Sequence, residues 1–448
     1  MRKMPLAIWA LVIASFAMGA DEFIVAGVVE DIASALGTTI GAVGLFESAY
    51  AIGVAIGAPL FAAFSGKASR RTTLLTAAGI FLLGNLISLV GPDYGWIMAG
   101  RIVAALAHGA FFGIAAVFAA ELVAAKLKGR AIATVFAGST AATILGAPIG
   151  AAVGRALGWR ATFGTLVLFG AVALVGLVFL LPRGIGRTKV REVAPQQSHD
   201  HGHGHGHGHD REHHNGHAGD EPELDAHAKM HMGSGGGSAP LKAQLRALRR
   251  PAVLVGLLTT LFGYGGVFTS YVYLEPQLSE ATGLGDAWVT PMFLLFGVGL
   301  FVGNQLGGRL ADRNVRRALI GAVAGLTVML FAMSVLIHNP VTAIVGVLLY
   351  GIAAFSVVAP LQMWVMTKAG DAPDIASAAN ISAFTLGSAL GIWLGGAAID
   401  AGLGAASVNW VGGIISGIGL LLALSSLWLD RIAPPQQFHQ PAPLTHHH

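Results

Sequence analysis

The sequence predicts an all-α polytopic membrane protein, with twelve transmembrane helices in two pseudo-symmetric six-helix bundles. Three observations carry this. Hydrophobic residues make up 54% of the 448-residue chain and charged residues 11%, where a soluble domain carries about 25% charged residues. Twelve apolar stretches each approach the roughly 20 residues needed to cross a bilayer core. Lys and Arg collect in every second gap between those stretches, as the positive-inside rule demands.

The stretches fall near 5–29, 40–64, 73–91, 95–122, 130–154, 161–181, 251–273, 287–310, 317–337, 339–367, 375–399 and 406–429. Their runs are continuous and do not alternate, which excludes a β-barrel. The first begins after Met1-Arg2-Lys3-Met4 and continues past Asp21 and Glu22. It is too long for a signal peptide, so it reads as a first span that starts inside. Residues 182–250 break the pattern: they are polar, rich in His and Gly, and end in the Gly-Ser run from Gly233 to Ser238. By composition this is a disordered cytoplasmic linker. The expected domains are therefore 1–181, the linker 182–250, a second bundle over 251–430 and a tail over 431–448. A six-plus-six layout around a long central loop is how many secondary carriers are built.

Charge sets the topology. Lys67, Arg70 and Arg71, then Lys126, Lys128 and Arg130, then Arg309, Arg313, Arg316 and Arg317, then Lys368 fall in alternate gaps. The other gaps hold Glu30, Asp31, Asp93, Glu280 and Asp286, with Arg155 and Arg160 at their margins. Of the 27 Lys and Arg, Arg155, Arg160 and Arg101 alone lie outside expected cytoplasmic segments. Both termini are expected inside, in the inner membrane of a bacterium. The lipid bilayer is the expected partner. A basic pI without aromatic-interleaved patches gives no nucleic-acid surface. No cysteine is present, so disulfides and thiolate ligation are excluded. No nucleophile–base pair, phosphate loop or cofactor motif appears, so an enzyme is not expected and no cofactor is required.

Ionisable residues inside a span are costly and mark function by default. Asp21 and Glu22 lie about two-thirds along the first span, Glu47 in the second, and Arg101 and His108 in the fourth. Arg101 and His108 are seven apart and share a helix face. Asp21 or Glu22, with Glu47, would carry protons or a cationic substrate, and Arg101 and His108 would tune those carboxylates. Simpler readings stand beside this one. Arg101 could brace backbone carbonyls, His108 could be a hydrogen-bonded packing residue, and Glu47 could snorkel outward. Asp21 and Glu22 are adjacent and point to different faces, so one at most is expected in a cavity and the other at a lipid or loop boundary.

The fifth span holds Gly138, Gly146, Ala147, Pro148, Gly150 and Gly154, and the eleventh holds Gly387, Gly391, Gly395 and Gly396. Pro148 removes a backbone bond, and the glycines permit close crossing. The run reads as a hinge or seam between the halves, or as an ordinary small-residue interface. Phe112, Tyr264, Phe268, Tyr271 and Trp364 are aromatic candidates for a cavity wall.

The segment Gly307 to Arg317, Gly-Gly-Arg-Leu-Ala-Asp-Arg-Asn-Val-Arg-Arg, resembles the loop signature of the major facilitator superfamily. Arg101 to Gly109 is similar to that family's Arg-containing motif. Gly146-Ala147-Pro148-Ile149-Gly150 resembles its antiporter motif, and Asp21-Glu22-Phe23 with Glu30-Asp31-Ile32 its first-helix signature. Within the drug/proton antiporter branch the likeness is to arabinose-inducible efflux permeases and chloramphenicol-resistance carriers, over nearly the whole chain except 182–250. The resemblance implies gating roles for Gly146, Pro148, Gly150 and Asp312, with Arg313, Arg316 and Arg317 as partners of Asp312. The first-half loop departs from the signature, with Gly66 where the family has Asp. Glu47 and the central His tract also depart from it.

Eleven of 17 histidines lie between His199 and His231. His199, His201, His203, His205, His207, His209, His213, His214 and His217 form the dense part. Imidazoles at this spacing bind Ni, Co or Zn weakly and without defined geometry. The tract is either a metal collector, a neutral expansion or a pH-sensitive tail. The expected function is proton-coupled efflux of small organic compounds, drug-like or sugar-like, by a monomer through alternating access. The alternative is a Ni/Co/Zn exporter fed by the His tract, with Asp21, Glu22, Glu47 and His108 as transport ligands; a third is a metal buffer or sensor on a carrier scaffold.

Overall fold

The computed structural model describes residues 4–64, 69–124, 127–182, 248–370 and 373–432. Among them no strand occurs, and twelve helices are long and apolar enough to cross a membrane. They are α1 Leu6–Phe23, α2 Ile40–Phe64, α3 Arg70–Val90, α4 Tyr94–Glu121, α5 Lys128–Leu157 and α6 Trp159–Leu180. The second set is α7 Pro251–Tyr271, α8 Val289–Arg313, α9 Val315–Leu336, α10 Pro340–Ala369, α11 Pro373–Ala398 and α12 Ser407–Ile432.

Local chemistry sets the helix ends. Ser69 caps α3 by accepting from Thr72 N, Asp93 caps α4 from Trp96 N, and Asn314 caps α9 from Arg317 N. Pro251 and Pro340 sit in the first turns of α7 and α10, where a missing N–H leaves nothing unsatisfied. One expected boundary moves. The first span, read as 5–29, ends its α-helix at Phe23 and passes through a 3-10 turn at Ile24–Gly27. A separate amphipathic helix, Val29–Leu36, follows with Glu30 and Asp31 in its first turn, where the helix dipole favours negative charge. It ends at Gly37 with φ +60°, a conformation glycine adopts without strain.

Neighbour relations repeat between the two sets. In the first, α1 packs on α5 and α6, α2 on α4, and α3 on α4 and α6. In the second, α7 packs on α11 and α12, α8 on α10, and α9 on α10 and α12. Adding six to each number of the first set gives the second. The sets meet through α2–α11 and α5–α8, and this pair of contacts also maps onto itself.

The glycine runs explain the closest crossings, and they decide between the two readings offered for the α5 run. Gly146, Gly150 and Gly154 of α5 face Phe23, Ile24 and Val28, so the run is a seam with α1 inside the first half and not between the halves. Gly387, Gly391 and Gly395 of α11 face Leu261, Gly265 and Thr269 of α7 in the matching seam. Pro148 leaves α5 continuous. It lacks the N–H that would bond the Ile144 carbonyl, and that carbonyl faces Gly297 of α8, where a Cβ would lie 2.9 Å from it. Pro360 likewise has no N–H to offer the Ser356 carbonyl, and Gly307 of α8 sits against that carbonyl.

Six spans return each half to the side it starts from, and the contact of Phe23 with Phe268 sets the two halves the same way round, so residues 4, 182, 248 and 432 share one face, here the near face. On the far face the halves are joined. Glu30 N donates to Glu275 Oε2 at 3.2 Å, and Ser279 Oγ donates to Glu30 Oε1 at 2.5 Å. Asp400 accepts from Thr39 Oγ1 at 2.8 Å and Gly41 N at 3.2 Å, and Ser48 Oγ donates to the Ala389 carbonyl at 3.1 Å. The Phe23 ring lies 6.0 Å from that of Phe268 and 5.8 Å from that of Tyr271. An aromatic plug therefore lies beneath the polar contacts.

Candidate functional site

Four helices of the first half converge on Arg101. Its side chain and that of Asp21 are 0% exposed, and Glu47 is 4% exposed. Arg101 Nη1 donates to the Asp21 carboxylate and, at 3.0 Å, to the Asp21 backbone carbonyl. Nη2 donates to Glu47 Oε1 at 2.6 Å. Asn85 Nδ2 of α3 donates to the other Asp21 oxygen at 3.0 Å. The guanidinium carbon stands 4.2 Å from the Tyr50 ring centre, a cation–π distance. The Tyr50 hydroxyl shares a hydrogen bond with His108 Nδ1 at 2.9 Å.

The pattern of α2 and α4 explains this convergence. Glu47 and Tyr50 are three apart and Arg101 and His108 seven apart, so each pair occupies one helix face. Tyr50 bridges the α4 pair, ring to Arg101 and hydroxyl to His108. Arg101 thus combines both readings offered by the sequence: it braces a carbonyl and pairs with carboxylates. Glu47 does not snorkel. His108 is packed between Tyr50 and Phe112, with ring centres 5.7 and 5.0 Å away. One guanidinium faces two carboxylates, so the site carries one negative charge in excess unless a proton or cation joins it. Arg101 Nε and Asn85 Oδ1 are buried without partners among the described residues.

Asp21 and Glu22 do point to different faces, but Asp21 lies in the ion cluster and not at a lipid or loop boundary. Glu22 lines a 360 Å³ cavity between the halves. Phe23, Ser139, Thr140, Thr143, Tyr264, Asn304 and Phe355 share its wall. Thr140 and Asn304 are exposed, so the cavity is open to its surroundings. Of the aromatic candidates, Tyr264 is on the wall. Phe268 and Tyr271 belong to the plug, Phe112 stacks on His108, and Trp364 is buried under Lys368, whose Nζ is 4.3 Å from its ring centre.

Asn85 and Tyr50 were missed by the sequence reading. An amide in a span and a tyrosine one turn from Glu47 were the available signals. The expected near-face latch differs too. Asp312, Arg313, Arg316 and Arg317 are exposed, and Asp312 forms an ion pair with none of the three arginines. Near-face pairing occurs in the first half, where Arg70 meets Glu121 and Arg71 donates to the Val178 and Leu181 carbonyls at 2.8 and 3.1 Å. Among the described residues no group of three or more His, Cys, Asp or Glu is placed to hold a metal, so Asp21, Glu22, Glu47 and His108 do not assemble as a ligand set. The histidines from His199 to His217 lie outside the described residues, as do 183–247 of the linker and 433–448 of the tail.

The fold matches a partially occluded inward-open structure of the xylose transporter XylE from E. coli, with a TM-score of 0.65 at 16% identity over 94% of this chain and 97% of that one. Among curated proteins, the inner membrane transport protein YdhP of Escherichia coli (strain K12) is 38% identical over 93% of this chain and 95% of its own. The chloramphenicol resistance protein of Streptomyces lividans is 32% identical over 94% and 96%. The profile of the Major Facilitator Superfamily matches residues 11–381. A twelve-span fold, a charged cluster buried in its first half and this near end-to-end likeness agree: the chain belongs to the Major Facilitator Superfamily and is a membrane transporter, not an enzyme.

Proposed function

We propose that this transporter exports small organic compounds in exchange for protons, as a monomer in a bacterial inner membrane with both termini cytoplasmic. One observation carries the reading: Arg101 is held between two buried carboxylates while Glu22, the next residue after Asp21, faces the cavity. A buried charge excess is costly, and one proton on the Asp21–Glu47 pair removes it. Glu22, with Tyr264 and the phenyl rings beside it, suits an organic cation or a polar aromatic compound. Both events act on one turn of α1, because Arg101 also holds the Asp21 backbone carbonyl. Substrate arriving at Glu22 and proton loss at Asp21 or Glu47 are thereby linked.

Direction rests on likeness to the chloramphenicol resistance protein, and orientation on the Lys and Arg bias. The near face is then cytoplasmic, and the far-face contacts make this an inward-facing arrangement. The His–Gly tract supports weak Ni, Co or Zn binding by the linker as an accessory property. The test is proton release from detergent-solubilised protein in weak buffer. Adding a transported phenicol or lipophilic cation should release about one proton per protein. Asp21→Asn or Glu47→Gln should abolish the release, and an unchanged release in both would overturn the reading.

A further inference from the structure

The far-face contacts include one whose chemistry the buried Arg101 cluster does not use. Glu30 sits on the helix Val29–Leu36 of the first half, and Glu275 on the turn after α7 in the second. They meet across the halves through Glu30 N and Ser279 Oγ. Glu275 is 9% exposed. Both line a 460 Å³ cavity with Asp31, Asp286 and Arg155, and the Glu280 charge is also felt there. Among the described residues neither Glu30 nor Glu275 forms an ion pair with a Lys or Arg. Four further acidic or basic neighbours thus leave the pair with three negative charges and one positive around it.

We propose that Glu30 and Glu275 form a proton-dependent latch: protonated, they hold the two halves together at the far face, and once ionised they drive them apart. Two carboxylates brought together with Glu275 buried and Glu30 half-buried repel each other and lose hydration. A proton on either removes the repulsion and leaves the interhalf hydrogen bonds in place. Burial, joined by the Glu30 and Asp31 charges, pushes the Glu275 carboxyl up to about 8 against the opposing Glu30 N–H bond. Burial also raises Glu30, against the Ser279 bond. In an opened far face both carboxyls meet water and return to the ordinary range near about 4.3. The closed state therefore binds more protons. Its advantage is full below the ordinary carboxylate range and is lost as pH rises to about 8. In the orientation proposed above, the latch senses external pH. Its action does not require the Arg101 cluster to carry transported protons.

The chain has no cysteine, so spin labels can be placed freely. Labels on Leu157→Cys and Leu403→Cys, exposed at the far ends of the two halves, would report their separation in lipid nanodiscs by pulsed electron resonance. The short-distance population should dominate at pH 5 and give way to a longer one by pH 9. Glu30→Gln and Glu275→Gln should each keep the short distance at both pH values. The same titration should persist in Glu47→Gln, which separates the latch from the transport site. A wild-type separation that ignores pH, variants that titrate like wild type, or a titration lost in Glu47→Gln would each overturn the latch. If Glu275→Gln does not fold, Glu30→Gln alone decides.

Discussion

At Arg101 the balance of charge sets what a substitution does. Asp21→Asn or Glu47→Gln leaves one guanidinium facing one carboxylate, a balanced pair. Arg101→Gln leaves two buried carboxylates without a counter-charge, and the double variant Asp21→Asn with Glu47→Gln leaves a bare cation. Breaking a buried pair in that way costs about 3–5 kcal/mol. Thermal unfolding in detergent should therefore show small losses for each single carboxylate variant and large losses for Arg101→Gln and the double variant. Equal losses for all four would mean that the two carboxylates do not share the guanidinium. Much of this cluster was legible in the sequence, because a charge inside a span has few bland explanations. Asn85 and Tyr50 were not. Amides and tyrosines are affordable in a membrane helix, and only the long-range packing of α2, α3 and α4 shows which ones face the charge.

Among the helices, the α1–α5 and α7–α11 seams rest on glycines that let backbones touch. A Cβ on Gly150 would collide with the Ile24 carbonyl, whereas one on Gly325 of α9 would meet nothing within 4 Å. Gly150→Ala should lower stability by about 1–3 kcal/mol, the usual range for overpacking. Gly325→Ala should be neutral or stabilise by up to about 1 kcal/mol, because alanine is the better helix former. Thermal melting of both variants checks the contrast, and similar behaviour would contradict the seam. The glycine runs were visible in the sequence, but their partner was not. Spacing says that a face is small without saying which helix lies on it, so the run on α5 read equally as a seam between the halves or as an ordinary small-residue interface, and it packs against α1. The near-face arginines behave likewise: a loop motif fixes their order, while their pairing depends on where α8 and its neighbours end.

Over the whole molecule, hydropathy and the Lys/Arg alternation were enough to find twelve spans, since lipid imposes length and loops carry charge. They could not give the closed far face, which depends on contacts between residues 245 and 361 positions apart. On the function proposed above, organic substrate and proton are exchanged through a site that Asp21 and Glu47 share. The most direct measurement is proton flux from proteoliposomes on adding lipophilic cations or phenicol-type compounds, with Ni, Co and Zn run in parallel. Proton-coupled export should give a proton signal with organic compounds, lost in Glu47→Gln and kept when residues 199–231 are deleted. A signal triggered by the metals alone, and abolished by that deletion, would contradict it.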